Sequence, residues 1–400
     1  MDGLRRALLG RSRRGEGGAG RAVTYPVNRP SAAARERLSP PATERPASAP
    51  VGARGRAAGS NAAGRFDPVA HEGFDDGWDG EEPRRLDTTV TAESARTIIT
   101  RNDSPDLGFD RTINPYRGCE HGCIYCYARP THAYLDLSPG LDFETKLFFK
   151  KDAARLLEAE LARADYRVRP VQLGASTDCY QPIEGRLRTT RGLLEVLSRV
   201  GHPATVTTKG CLVTRDIDIL ASMAGRGLAS VTVSITTVDR VLSRRMEPRA
   251  SAPGRRLDAI RALSAAGVPV TVGVAPVIPA LNDHEIEGIL ERAAEAGAST
   301  ATYTMLRLPR EVGGLFRDWL AAERPERAAR VMSLVRQVRG GKEYDAEWGR
   351  RMTGQGPVAE MVARRFEVAA RRLGLGRKPP SLRTDLFRPP ARPAAQLDLF

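Results

Sequence analysis

Arg117-Gly118-Cys119-Glu120-His121-Gly122-Cys123-Ile124-Tyr125-Cys126-Tyr127 sets three cysteines at C-x3-C-x2-C spacing, with an aromatic residue just before the third. Three thiolates on one short loop can hold three irons of a cubane iron-sulfur cluster and leave the fourth iron open. The structural alternative is a zinc site, with His121 or His132 as fourth ligand. Such sites pair two C-x2-C knuckles, or one knuckle with a distant histidine pair, and no second knuckle occurs here. An odd count of five cysteines without a secretory apolar segment argues for a reducing, cytoplasmic setting rather than for disulfides.

Outward from this loop, beyond about residue 111, apolar runs alternate with amphipathic stretches. Strands are predicted at 171–175, 204–208, 230–235, 269–275 and 300–305. Helices are predicted near 152–165, 189–200, 214–226, 255–266 and 283–296, the last opened by Asp283 and ended by Gly297. Strand and helix alternate throughout, which calls for an α/β fold with a parallel sheet. A doubly wound sheet and a barrel share this alternation, so the pattern alone does not choose between them.

The cysteine spacing with Tyr125 before Cys126 resembles the signature of radical S-adenosylmethionine (radical SAM) enzymes. That resemblance implies a partial (β/α)6 barrel over 100–310, its first strand near Thr112 to Tyr116 and the loop at its C-terminal mouth. It implies a [4Fe-4S] cluster on Cys119, Cys123 and Cys126, S-adenosylmethionine chelating the open iron, reductive cleavage to a 5′-deoxyadenosyl radical, and an electron donor such as flavodoxin or ferredoxin. An incomplete barrel leaves its side open to a large substrate. Because barrel sites collect at strand C-termini, Ser176 and Asp178 after the second strand, Lys209 after the third and Ser234 closing the fourth are cofactor-binding candidates. Tyr125 joins them, packing beside the cluster and offering its backbone to adenine. A plain surface lysine is the alternative for Lys209.

Within that superfamily, 100–310 resembles spore photoproduct lyase and its uncharacterised bacterial relatives. The shared features are the Tyr-Cys-Tyr end of the loop, Thr208-Lys209, Ser234, and Glu247-Pro248 followed by the Arg255-Arg256-Leu257 helix start. The resemblance implies that Lys209 and Ser234 hold the carboxylate of S-adenosylmethionine. It makes Cys179, with Tyr180 beside it, a candidate to return a hydrogen atom to a product radical; the alternative for Cys179 is a small buried hydrophobe. Cys211 reads as structural.

The flanks differ in composition. The net charge is +14, which favours polyanionic partners. Residues 1–65 carry thirteen arginines against four acids, and Phe66 to Glu82 carries seven acids and no Lys or Arg. Segment 1–90 therefore reads as a disordered basic arm and acidic linker. Helices are predicted at 311–321, 324–338 and 357–373, giving a helical extension over 311–376. Val362, Phe366, Ala369 and Leu373 should face its core, with a basic stripe of Arg364, Arg371, Arg365 and Arg372 on another face. Residues 377–400 read as a flexible tail. Its end, Gln396-Leu397-Asp398-Leu399-Phe400, resembles the peptide by which bacterial replication and repair proteins dock on the DNA polymerase sliding clamp, implying contacts through Gln396, Leu397, Leu399 and Phe400. No apolar run is long enough for a membrane span.

Three functional readings follow. The first is a radical SAM enzyme for DNA repair or modification. The second keeps the radical chemistry but acts on RNA, a peptide or a small molecule. The third is a non-enzymatic iron-sulfur or zinc nucleic-acid-binding protein.

Overall fold

The computed structural model describes residues 56–66, 86–376 and 378–391. The arm before Arg56, the acidic run within 67–85 and the terminal peptide 396–400 lie outside the described residues.

Among the described residues ten strands form two sheets: β1 (Thr89–Glu93), β2 (Ile99–Arg101), β3 (Arg111–Ile113), β4 (Tyr116–Arg117), β5 (Lys146–Lys150), β6 (Val171–Leu173), β7 (Ala204–Thr208), β8 (Ala229–Ser234), β9 (Val270–Val277) and β10 (Thr300–Met305). The main sheet runs β10-β9-β8-β7-β6-β3-β2. Its strands from β3 to β10 are mutually parallel, and β2 is antiparallel on β3. These are the six strands of the expected partial barrel, and the two edges do not pair with each other. A small sheet β1-β5-β4 feeds the cysteine loop, since β4 ends at Arg117.

The helices are α1 (Leu141–Thr145), α2 (Ala153–Leu161), α3 (Glu184–Leu187), α4 (Thr189–Arg199), α5 (Ile217–Gly225), α6 (Arg240–Met246), α7 (Pro253–Ala265), α8 (Ile286–Glu295), α9 (Glu311–Glu323), α10 (Pro325–Gln337) and α11 (Gly356–Arg372). Each long crossover helix buries one stripe against the sheet. In α8 the stripe is Ile286, Ile289, Leu290 and Ala293, the spacing of one helical face. Asp283 opens only a short 3-10 turn before α8, and Glu285 at the end of that turn accepts from the Thr237 hydroxyl (2.5 Å) and the Val238 N–H (2.7 Å). Gly297, at φ +97°, follows the helix as expected.

Four sequence readings need correction. Residues 56–66 do not read out as free arm: Ala57 and Ala58 are buried, and Asn61 exchanges hydrogen bonds with Asp142 (3.1 and 2.9 Å). Strand β1 likewise begins before residue 90, pairing with β5. The tail is docked as far as Arg388. The Arg383 N–H donates to the Gly227 carbonyl (2.9 Å), the Arg388 N–H to that of Val200 (2.8 Å), and Phe387 packs on His202 and Tyr166. Gly201, at φ +66°, is needed there, since a Cβ would lie 2.4 Å from the Leu386 carbonyl oxygen. The basic stripe is half consumed, because Arg365 pairs with Glu287 (2.6 Å) and Arg372 with Glu291 (2.5 Å) on α8. Finally, the open side of the barrel is partly laced. Arg351, just before the Met352 that bonds β10, pairs with Asp106 of the β2–β3 loop at 2.5 Å.

The docked tail creates an acid-sensitive point. His202 is fully buried, with Nε2 2.7 Å from the Tyr166 hydroxyl and Nδ1 2.9 Å from the Pro203 carbonyl. Burial pushes its pKa down to about 4. The unfolded chain therefore binds this proton more readily, so stability is full above the ordinary histidine value and falls as pH drops toward 4. Denaturant titrations at pH 7 and pH 4.5 should differ by about 2–3 kcal/mol through this group. His202→Gln should flatten that step.

Candidate active site

The loop between β4 and α1 is shaped by two glycines and held by one arginine. Gly118 (φ +73°) and Gly122 (φ +65°) adopt the left-handed conformation, and a Cβ on Gly122 would lie 2.7 Å from Glu144 Oε2. The Cys119 N–H donates to the Phe143 carbonyl (2.9 Å), the Ile124 N–H to that of Met246 (3.0 Å) and the Cys126 N–H to that of Cys123 (3.1 Å). Arg129, fully buried, uses all five of its donors here. Its Nε donates to the Cys123 carbonyl (2.9 Å), Nη1 to those of Pro139 (3.0 Å) and Gly140 (2.9 Å), and Nη2 to the Gly122 carbonyl (2.9 Å) and Glu144 Oε1 (2.5 Å). Glu144 in turn accepts from the N–H groups of Ala57 (3.2 Å) and Ala58 (3.0 Å). The segment before the acidic run thus closes the back of the cysteine loop.

Cys119 and Cys123 are buried and Cys126 is half-buried; none is in a disulfide. Burial, foremost, pushes all three thiols up, and neighbouring cysteines add to the rise at Cys119 and Cys123. Such a set is poorly suited to bare thiolates and well suited to a group whose irons neutralise them. Among the described residues no three His, Cys, Asp or Glu side chains converge on a single ion. A cubane asks for something else, one thiolate on each of three irons. Each histidine proposed for zinc has one ring nitrogen engaged elsewhere: His121 Nδ1 lies 3.2 Å from Asp178 Oδ2, and His132 Nε2 lies 2.9 Å from the Lys146 carbonyl, leaving His132 Nδ1 buried without a hydrogen-bond partner.

Lys209 and Ser234 meet at the mouth. Lys209 Nζ is 2.9 Å from Ser234 Oγ, 3.3 Å from the Ala275 carbonyl and 5.9 Å from the Tyr125 ring centre. One ammonium therefore links the ends of β7, β8 and β9 to the cysteine loop. Asp178 supports it rather than facing the opening. It accepts from the Lys209 N–H (2.7 Å) and the Thr208 hydroxyl (2.7 Å) as well as facing His121. Burial raises its carboxyl, but His121 and these donors outweigh it and hold the group at about 2. Ser176 is exposed, its N–H donating to Asn114 Oδ1 (2.9 Å).

Tyr125 points its hydroxyl into a buried cluster. It bonds Thr236 (3.0 Å) and Glu247; Glu247 also accepts from Thr236 (2.6 Å) and pairs with the buried Arg256, which donates to the Ser234 carbonyl (3.0 Å). Tyr127, the other tyrosine of the loop, is exposed at the mouth, bonded to the Ala175 carbonyl with Arg307 Cζ 5.1 Å from its ring centre.

Cys179 and Tyr180 do not join this group. Cys179 is fully buried in the main core, its Sγ against Gly174, where a Cβ would approach it to 3.2 Å. The Tyr180 hydroxyl turns to Asp216 (3.0 Å), within an ion-pair network of Arg191, Arg215 and Glu184. The bland reading of Cys179 fits this placement; Cys211 also packs against the core. Arg129, Glu144 and the supporting role of His121 were not legible in sequence, because nothing local distinguishes a loop-holding arginine from the many others in this chain.

The radical SAM superfamily model matches residues 113–293. An uncharacterized protein of Mycobacterium tuberculosis is 41% identical over 233 residues, covering 58% of this chain and 68% of that protein. The chain belongs to the radical SAM superfamily. An uncharacterized protein of Methanocaldococcus jannaschii is 25% identical over 178 residues, 44% of this chain and 64% of that protein. Among solved structures, spore photoproduct lyase complexed with the dinucleoside spore photoproduct superposes with a TM-score of 0.53 at 18% identity, covering 76% of this chain and 86% of that one. A lyase variant with bound AdoMet and the same dinucleoside gives 0.54 at 18% identity and the same coverage. At that identity the likeness is one of fold. As a radical SAM protein, this chain has a [4Fe-4S] cluster and S-adenosylmethionine as its cofactors. No helix among the described residues is long and apolar enough to cross a membrane.

Proposed function

We propose that this radical SAM enzyme acts on DNA, in repair or modification, with Cys119, Cys123 and Cys126 as the cluster ligands. The observation that carries the site assignment is the 2.9 Å approach of Lys209 Nζ to Ser234 Oγ at the mouth beside the cysteine loop. The cofactors, when bound and reduced, supply a 5′-deoxyadenosyl radical able to abstract a hydrogen atom from the substrate. Lys209 and Ser234 hold the carboxylate of S-adenosylmethionine by charge and hydrogen bond. Asp178 and His121 fix the backbone of Lys209 relative to the loop, and the Glu247–Arg256 pair fixes Tyr125 and the end of β8. Ser176 and Cys179 have no part in this assignment.

DNA is favoured by three features: the shared fold with a lyase whose solved complexes contain a dinucleoside photoproduct, the net charge of +14, and the clamp-like terminal peptide. That peptide, with Gln396, Leu397, Leu399 and Phe400 as its contacts, would bring the enzyme to the replication clamp. The deciding experiment is 5′-deoxyadenosine formation by the anaerobically reconstituted, reduced protein given S-adenosylmethionine, with and without ultraviolet-irradiated DNA. Formation that requires all three cysteines, and that rises with damaged DNA, supports the reading. Formation that rises instead with RNA or a peptide moves the substrate. No formation from a protein holding four irons leaves a binding protein.

A further inference from the structure

Beside the mouth, the surface carries an arrangement that the cluster site does not use. Among the described residues Phe66, Tyr127 and Tyr134 are strongly exposed, at 52%, 46% and 65%. Each ring has a guanidinium close to its face. Arg65 Cζ lies 4.8 Å from the ring centres of both Phe66 and Tyr134, and Arg307 Cζ lies 5.1 Å from that of Tyr127. The Phe66 and Tyr134 rings are 5.4 Å apart. Arg65 is pinned to the domain by Glu311 (3.1 Å) and the Pro130 carbonyl (3.3 Å), which sets the guanidinium between the two rings. Arg310 stands with Arg65 at the Tyr134 hydroxyl. It is three residues from Arg307 on the loop leaving β10, so the two guanidinium stems lie within about 10 Å along the chain.

Exposed rings interleaved with arginines suit one class of ligand. Nucleobases stack on aromatic faces whatever their identity, and guanidinium groups meet the phosphates between them. Neither Arg307 nor Arg310 is paired with a described carboxylate; Arg307 Nη1 lies 3.5 Å from Met352 Sδ, so its positive charge is not neutralised by an ion pair. A duplex hides its base faces, so a track of rings selects unpaired or extruded nucleotides.

We propose that Phe66, Tyr134 and Tyr127, with Arg310 and Arg307, form a base-stacking track that leads unpaired nucleotides of a DNA substrate to the barrel mouth. This rests on the nucleic-acid reading above and adds to it a surface and a strand state.

The test is fluorescence anisotropy of the full-length, cluster-loaded protein with a labelled single-stranded thymidine oligonucleotide and a duplex of equal length. The single strand should bind more tightly. Phe66→Ala and Tyr134→Ala should each weaken it roughly tenfold, while Tyr134→Phe keeps the wild-type affinity. 5′-Deoxyadenosine formation without nucleic acid should be unchanged in all three variants, since none touches the cofactor group. Tight single-strand binding that ignores both alanine variants overturns the track and leaves the DNA reading standing. Tighter binding in those variants would show that the rings hold the acidic run after Phe66, and also overturns it. Wild-type protein that binds neither oligonucleotide defeats the DNA reading itself.

Discussion

Arg129→Met is expected to leave a folded barrel that holds roughly tenfold less iron, as loss of an outer-shell partner commonly does. The reason is that one side chain secures the whole cysteine loop. Arg129 bonds the carbonyls of Gly122 and Cys123 inside the loop and those of Pro139 and Gly140 across from it, while neutralising Glu144. Methionine fills much of the volume but removes every donor and leaves a carboxylate with no exposed side-chain surface beside the loop. Breaking a buried pair from one side costs about 3–5 kcal/mol. That is a large part of a typical domain's stability, and it falls on the loop rather than on the distant sheet. Iron per chain and the visible absorbance of the reconstituted cluster report the loss. Circular dichroism should show the barrel intact, and Arg129→Met with Glu144→Gln should recover part of the iron because the stranded charge is gone. Full iron loading in the single variant would overturn this account of the loop.

A second large effect is expected at Glu247. This carboxylate and Arg256 are buried together, with Tyr125 and Thr236 completing the cluster. Glu247→Ala should lower stability by about 3–5 kcal/mol through the stranded guanidinium of Arg256. It should also loosen Tyr125, the residue before the third cysteine, and so reduce cluster retention. The pH dependence gives an independent signature. Burial raises the Glu247 carboxyl, but Arg256, Lys209, Thr236 and Tyr125 outweigh it and hold it at about 2. Its folded value lies below its unfolded one, so its stabilisation is complete above the ordinary glutamate range. It is lost as pH falls from there toward 2, for a contribution of about 3 kcal/mol at neutral pH. Urea titrations of wild type and Glu247→Gln should therefore differ at pH 7 and converge as pH approaches 2. A constant difference across that range would place the effect in packing rather than in charge.

Much of this molecule is legible in one dimension, for local reasons. The cysteine spacing is a property of a single loop, and the crossover helices announce themselves by stripes such as Ile286, Ile289, Leu290 and Ala293. The β-branched runs of β7 to β9 need no distant partner to be recognised. That Lys209 and Ser234 meet is legible because each stands at the end of a strand, and parallel strands bring their C-terminal ends together.

The tertiary structure decided what depends on distant partners. Asp178 sits in the right stretch, yet whether a carboxylate faces an opening or is spent on His121, Thr208 and the Lys209 backbone is fixed by two distant segments, the cysteine loop and the end of β7. Cys179, one residue later in the turn after β6, is buried in the core, with its carbonyl accepting from the Thr190 hydroxyl of α4 (2.6 Å). Charge composition suggested a free arm and a free tail. For the described residues 56–66 and 378–388 specific docking overrode it, through Ala57 and Ala58 on Glu144 and through Phe387 on His202. Sequence by itself therefore determined the cofactor chemistry and the order of elements, both written in local spacing. Only the fold decided which polar groups stay free for ligands and which are consumed in holding the site, because that depends on pairings between residues far apart in the chain.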